Sequence, residues 1–208
     1  VYDNMLDYLK KLIRKEDESE GGGYYLQMKV YASYVLSLAG KPPKSTISYI
    51  KENRLRELGP SSRYQLALCF AKAGDKRTAL SLLPAEIHPS PDVRRESGGN
   101  FNSTVREDAI MLDVLTQLAP ENPGIPVLIK ALGAKAEAGE WYTTQDNAFA
   151  FLAVGKAYSK QGKSKFTGSV KSGMRTLKEF SEQGAEINDP KLSGKKLAIG
   201  LKGKWHGY

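Results

Sequence analysis

The chain has 208 residues, 40% of them hydrophobic and 26% charged, with a mean hydropathy of -0.44. This is globular composition, long enough for one substantial core or two smaller ones, and no apolar run nears the roughly 18 residues of a membrane span. The single cysteine, Cys69, excludes an internal disulfide or a cysteine-based zinc site, and two isolated histidines, His88 and His206, do not suggest a metal centre.

The net charge of +8 is unevenly placed. Residues 1–155 carry 19 Lys/Arg against 19 Asp/Glu, while residues 156–208 carry 12 against 4. A nucleic-acid binder is expected to carry its basic stripe on the folded recognition unit. Here the well-patterned helical part is neutral, so a lysine-rich strand surface is the better reading and no nucleic-acid partner is expected. The amino terminus carries no signal-peptide pattern. The abrupt start at Val1 and the aromatic-rich end Lys204-Trp205-His206-Gly207-Tyr208 read as a segment of a longer polypeptide.

In chain order, Met5, Leu9, Leu12 and Ile13 predict a first helix, followed by an acidic break and the turn Gly21-Gly22-Gly23. Tyr31, Val35 and Leu38 form the next stripe, closed by Gly40 with Pro42 and Pro43 beyond. A shorter helix is expected through Ile47 and Ile50 to Leu58, ended by Gly59-Pro60. Ser61 or Ser62 is the expected cap of a helix carrying Leu66, Cys69, Phe70 and Ala73. Gly74-Asp75 turns the chain into a short helix near 76–83, and Pro84–Asn100, with His88, reads as a loop.

Ser103 starts a long helix with Ala109, Leu112, Leu115 and Ala119 on one line, stopped by Pro120 and Pro123. The next runs from about Ile125 to Ala138, with Pro126 in its first turn, where a missing N–H is harmless. Gly139 closes it. Thr144 is the expected cap of the last helix, with Ala148, Phe151, Leu152 and Tyr158 on a shared face.

After Gly162 strand-like pieces replace the helical stripes: Lys165–Val170, Arg175–Phe180 and Lys195–Leu201. The expected organisation is a helical part over 1–163 and an incomplete β-sandwich segment over 164–208, too poor in large apolar residues to close a core alone. The fold class is therefore mainly α, with antiparallel helix hairpins and a short C-terminal β segment. Leu38-Ala39-Gly40-Lys41, Lys72-Ala73-Gly74-Asp75 and Glu137-Ala138-Gly139-Glu140 repeat one turn theme. The first two glycines lie 74 − 40 = 34 residues apart, the tetratricopeptide period, but the third breaks it. Helix hairpins without a strict repeat fit an α/α toroid better.

Three stretches carry a family resemblance. Trp141-Tyr142-Thr143-Thr144-Gln145-Asp146-Asn147-Ala148-Phe149-Ala150 resembles the Trp-x-[Ser/Thr]-Thr-Gln-[Asp/Glu]-x-Ala-[Phe/Tyr]-Ala segment of bacterial alpha-2-macroglobulins, which opens a late helix of their thioester domain. Asn102-Ser103-Thr104-Val105-Arg106-Glu107-Asp108-Ala109 is similar to the family's Tyr-Gly-Ser-x-x-Arg-Asp-x-Ala, with Phe101-Asn102 in place of Tyr-Gly and an acidic pair after Arg106. Tyr31-Ala32-Ser33-Tyr34-Val35-Leu36-Ser37-Leu38-Ala39-Gly40 is similar to a Tyr-Ala-x-Tyr-x-Leu-Ala-x-Ala-Gly helix of the family.

The resemblance spans about 20–165 and implies later helices of an α/α toroid followed by the start of a β-sandwich. Ser103, Arg106, Asp108, Trp141, Thr143, Thr144 and Gln145 are its structural signature, with no catalytic, cofactor-binding or metal role. Beside the resemblance, Trp141 with Thr144 and Gln145 also reads as a good helix start in any helical protein, and Arg106 beside Glu107 and Asp108 as an ion-pair or capping site.

The resemblance also implies a bacterial periplasmic or envelope protease inhibitor, acting with other domains of its parent chain and with target proteases, and not inserted in a membrane. In that family a Cys thiol and a Gln side chain, three apart in Cys-[Leu/Gly]-Glu-Gln, condense to a thioester that acylates the attacking protease. Cys69 is followed by Phe70-Ala71-Lys72, so it reads instead as a small buried apolar residue. Two other readings compete. A tetratricopeptide-like interaction scaffold would need a regular 34-residue unit. An enzyme on an α/α toroid would need an Asp-rich motif, or two carboxylates facing a cleft, and nothing in the spacing of Asp108 and Asp146 asks for that role. No catalysis and no cofactor are expected.

Overall fold

The computed structural model describes residues 2–14, 22–89, 102–160, 166–181 and 186–203. The chain divides into two compact units, Val1–Ala157 and Tyr158–Tyr208. The first holds α1 (Tyr2–Arg14), α2 (Gly22–Leu38), α3 (Lys44–Tyr49), α4 (Pro60–Lys72), α5 (Lys76–Ser81), α6 (Thr104–Leu118), α7 (Gly124–Glu137) and most of α8 (Thr144–Lys160). The second holds β1 (Phe166–Ser172), β2 (Arg175–Phe180) and β3 (Leu197–Gly203). The fold is mainly helical, as the periodicity predicts.

In the helical unit α2 packs on α1 and α4, and α6 packs on α4 and α7. One core, built around Tyr64, Leu66, Leu68, Leu112, Leu115, Leu128 and Leu132, runs through these contacts, with a small satellite of Leu6, Ile13, Ala32 and Leu36 between α1 and α2. Helices α4 and α6 are buried on nearly every side, including Tyr64 to Phe70 without a break, so single stripes understate their burial. Gly40, Gly74 and Gly139 all adopt positive φ (75°, 96° and 72°) just past helix ends, the left-handed closure that glycine allows.

Several local expectations are corrected. In α1 the buried residues are Leu6 and Ile13, and Met5 points to solvent; Leu38 likewise closes α2 exposed. Helix α2 starts at Gly22, so two of the three glycines lie in its first turn, while the acidic break before it and Gly21 fall outside the described residues. The α-helix expected to reach Leu58 stops at Tyr49, becomes π-helical over Ile50–Arg54 and tightens to a 3-10 turn at Leu55–Glu57. The amide of Asn53 donates to the Tyr49 carbonyl at 3.1 Å, taking a side chain into the backbone ladder where it loosens. Helix α4 is capped by extended Gly59 with Pro60 at its first position, so neither Ser61 nor Ser62 is the cap.

In the second unit the strand order is β2-β1-β3, all antiparallel, with a register shift between Val170 and Lys171. The Phe180 ring lies directly over Gly168, where any Cβ would collide with it. The strands sit within two residues of their expected bounds. The expected boundary between 163 and 164, the end of the Pro84–Asn100 loop and the terminal Lys204–Tyr208 lie outside the described residues.

Candidate functional site: the junction of α2, α6 and α8

Helix α6 is capped by Ser103, whose backbone is extended and whose Oγ accepts the N–H of Arg106 at 3.1 Å, the N-cap arrangement. The same Ser103 hydroxyl donates to the carboxylate of Asp146, near the start of α8 and 43 residues later. Asp146 is buried, and its second oxygen accepts the Thr143 N–H at 3.1 Å while its own N–H donates to Thr143 Oγ1 at 3.0 Å. This reciprocal pair is a capping box, with aspartate in the place more often held by glutamate. The cap of α8 is therefore Thr143, and Thr144 is exposed in the first turn beside a half-buried Gln145. One carboxylate thus closes two helix starts.

Arg106 projects from the first turn of α6 between two rings: its guanidinium carbon lies 5.1 Å from the Tyr31 centroid on α2 and 5.0 Å from Phe149 on α8. The expected ion pair with its neighbours does not form. Asp108 instead receives Lys135 of α7 at 2.7 Å in a buried pair, and Glu107 accepts from the Asn102 amide at 2.7 Å. The reason is helical geometry: side chains one and two positions on point away from Arg106.

Trp141 caps the junction, its ring edge-on to Phe151 at 5.2 Å and its carbonyl accepting from Asn147 at 3.3 Å. Two turns further along α6, the Asp113 carboxylate gathers Tyr34 of α2 (3.2 Å), Gln117 (2.9 Å) and Lys156 of α8 (2.7 Å). Burial, with the Asp113 charge and hydrogen bond behind it, holds the Tyr34 phenol well above its ordinary range. Cys69 is fully buried, and burial pushes its thiol up to about 12 against a weaker opposing hydrogen bond from Ser37.

The arrangement is a set of polar ties between helices. The two carboxylates considered for a cleft, Asp108 and Asp146, are both buried and already engaged, with Lys135 and with Ser103 and Thr143 respectively. Among the described residues no group of three or more His, Cys, Asp or Glu could hold a metal ion.

No protein-family model matches the chain. An alpha-2-macroglobulin of Xylella fastidiosa strain 9a5c is 23% identical over 148 residues, 68% of this chain and 9% of the relative. The same protein of strain Temecula1 is 22% identical over 148 residues. Among solved structures, a mutant of Salmonella alpha-2-macroglobulin superposes with a TM-score of 0.62 at 20% identity, over 95% of this chain and 12% of that one. Native Escherichia coli alpha-2-macroglobulin from domain MG7 to the C-terminus gives 0.56 at 18% identity, over 97% and 29%. The chain is thus similar in sequence to bacterial alpha-2-macroglobulins and shares the fold of part of their structures. The chain matches only about a tenth of the curated relatives' length, 9% in each case.

The three stretches that resemble alpha-2-macroglobulin motifs lie far apart in sequence yet meet here. Tyr31 comes from one, Ser103 and Arg106 from the second, Thr143, Asp146 and Phe149 from the third. Sequence reasoning missed Asp146 as the shared residue and Asp113 as the second tie. Thr143-x-x-Asp146 was open to recognition as a capping box; at Asp113 only Gln117 is near in sequence, and the partners that make it a tie between helices lie 79 and 43 residues away.

Proposed function

We propose that the chain is the structural, later-helix part of the thioester domain of a bacterial alpha-2-macroglobulin-like protease trap, with 1–163 as part of an α/α toroid and 164–208 as the start of the following β-sandwich. It is not an enzyme and takes no cofactor. It carries no Cys-x-Glu-Gln motif of its own, so thioester chemistry would belong to another part of the parent. Its partners are the other domains of the parent chain and, through the whole molecule, target proteases in the periplasm or cell envelope.

The observation that carries this reading is the convergence of the three motif stretches on one junction, tied by Ser103 to Asp146 and by Arg106 to Tyr31 and Phe149. Motifs of unrelated origin have no reason to meet in space. The role that follows is mechanical: ties such as the buried pair Asp108 to Lys135 and the part-exposed pair Asp113 to Lys156 hold the helices in register while the rest of the parent rearranges.

The test uses the parent protein. Its gene should encode repeated β-sandwich domains on both sides of this segment. Brief exposure to trypsin or elastase should change the parent's native-gel mobility after one or a few cuts. Flanks without such domains, or progressive digestion with no discrete converted form, would refute the assignment.

A further inference from the structure

Arg106 is an expensive residue for the place it holds. It stands in the first turn of α6, the positive end of the helix macrodipole, where a cation is disfavoured. Its Nε is sealed from water and makes no hydrogen bond among the described residues. Leaving a buried donor unpaired is costly, and two ring contacts do no more than offset it. A Met or Leu would fill the gap between Tyr31 and Phe149 without that cost, so packing alone gives no reason for an arginine.

The surrounding charges sharpen the point. Among the described residues, no carboxylate comes within ion-pair distance of Arg106. The two acids that follow it are held elsewhere, Glu107 by Asn102 and Asp108 by Lys135. The group's one further hydrogen bond is a long 3.5 Å contact from Nη1 to the Asn102 side-chain oxygen. Two rings lie against the guanidinium of this part-buried residue, and of its three nitrogens only Nε is among the buried atoms without a partner, so the outer pair is what a ligand would meet.

We infer that Arg106, clamped by Tyr31 and Phe149, is a carboxylate-binding site. A planar guanidinium held rigid by two aromatic faces presents its outer nitrogens in the geometry a carboxylate accepts side-on, and rigidity removes much of the entropy such a contact usually costs. The carboxylate can come from an acidic side chain of another protein segment or from a small free acid. The inference is independent of the protease-trap reading, because it uses only this junction.

The experiment follows the arginine Nε–Hε signals of the whole 208-residue chain by NMR, with the Arg106 signal assigned from its loss in Arg106→Lys. One arm adds a capped tri-glutamate peptide, a second sodium acetate, both at constant ionic strength. A saturable shift of the Arg106 signal, larger than at the exposed Arg56 and Arg77, is the expected result. Peptide alone acting identifies a protein segment as the source, and acetate acting equally identifies free carboxylates. Affinity read from other junction signals should fall roughly tenfold in Arg106→Lys, which keeps the charge without the planar fork. No shift beyond that of the exposed arginines overturns the inference. So does a variant that melts earlier while wild type shows no saturable binding, since Arg106 would then be only a strut.

Discussion

At the scale of single residues, the sharpest test of the helical unit is the pair Asp108–Lys135. The two charges are 2.7 Å apart with side-chain exposures of 0% and 10%, so removing one leaves the other charge in a dry site without its counter-charge from this pair. Lys135→Met should destabilise the unit by about 3 kcal/mol in urea unfolding, and the double variant with Asp108→Leu should lose much less than the two single losses added. An additive pair would mean the ion pair is weaker than its burial implies. Cys69 supplies a pH prediction. Its thiol ordinarily titrates near 9.0 and burial raises it to about 12. Between those values the unfolded chain has lost a proton that the folded chain keeps, so stability falls as pH rises from about 9 to about 12. Tyr64, raised by burial from 10.0 to about 12, acts in the same direction. The urea midpoint should therefore drop through this range, and Cys69→Ala should flatten the fall. An unchanged profile in the variant would leave the buried thiol without its expected influence.

At the scale of elements, the two threonines before α8 separate a local-sequence reading from a tertiary one. Thr143→Ala removes the capping oxygen and should cost about 1 kcal/mol, whereas Thr144→Ala, exposed inside the first turn, should cost a few tenths at most. Thermal melts of the two variants decide it, and equal losses would mean that the capping box contributes nothing. The same helix shows what the sequence makes legible. Periodicity locates α8 well, but the shared face it picks out, Ala148, Phe151, Leu152 and Tyr158, is exposed, the last three at 67%, 64% and 48%. The face that packs is Asp146, Ala150, Ala153 and Ala157, three alanines and an acid that the large apolar side chains outweigh in the sequence pattern. Helix stops at Gly40, Gly74 and Gly139 and all three strands are legible because their signals are local. The π-helical stretch after Tyr49 and the ties at Asp113 and Asp146 are not, since each depends on which groups folding brings opposite one another.

At the scale of the whole molecule, each unit presents an apolar surface of its own. On α8, Phe151 and Leu152 stand exposed beside a 59% exposed Tyr142. In the sheet, Leu197, Ile199 and Leu201 alternate with Ala198, Gly200 and Lys202 along β3, a period of two that puts the large side chains on one face. They are 43%, 68% and 50% exposed. Alternation of this kind arises when one face of a sheet is meant to be covered. The isolated chain should therefore self-associate at tens of micromolar and bind a hydrophobic dye, as light scattering and fluorescence would show. Lysine opposes both effects without touching either core, so Leu152→Lys with Ile199→Lys should cut dye binding by about half or more and shift the chain toward monomer. A single-variant comparison tells which face dominates. If wild type stays monomeric and dye-silent across that range, these faces are tolerated surface and not contacts awaiting other domains, and the view of the chain as one part of a larger assembly rests on the motif junction alone.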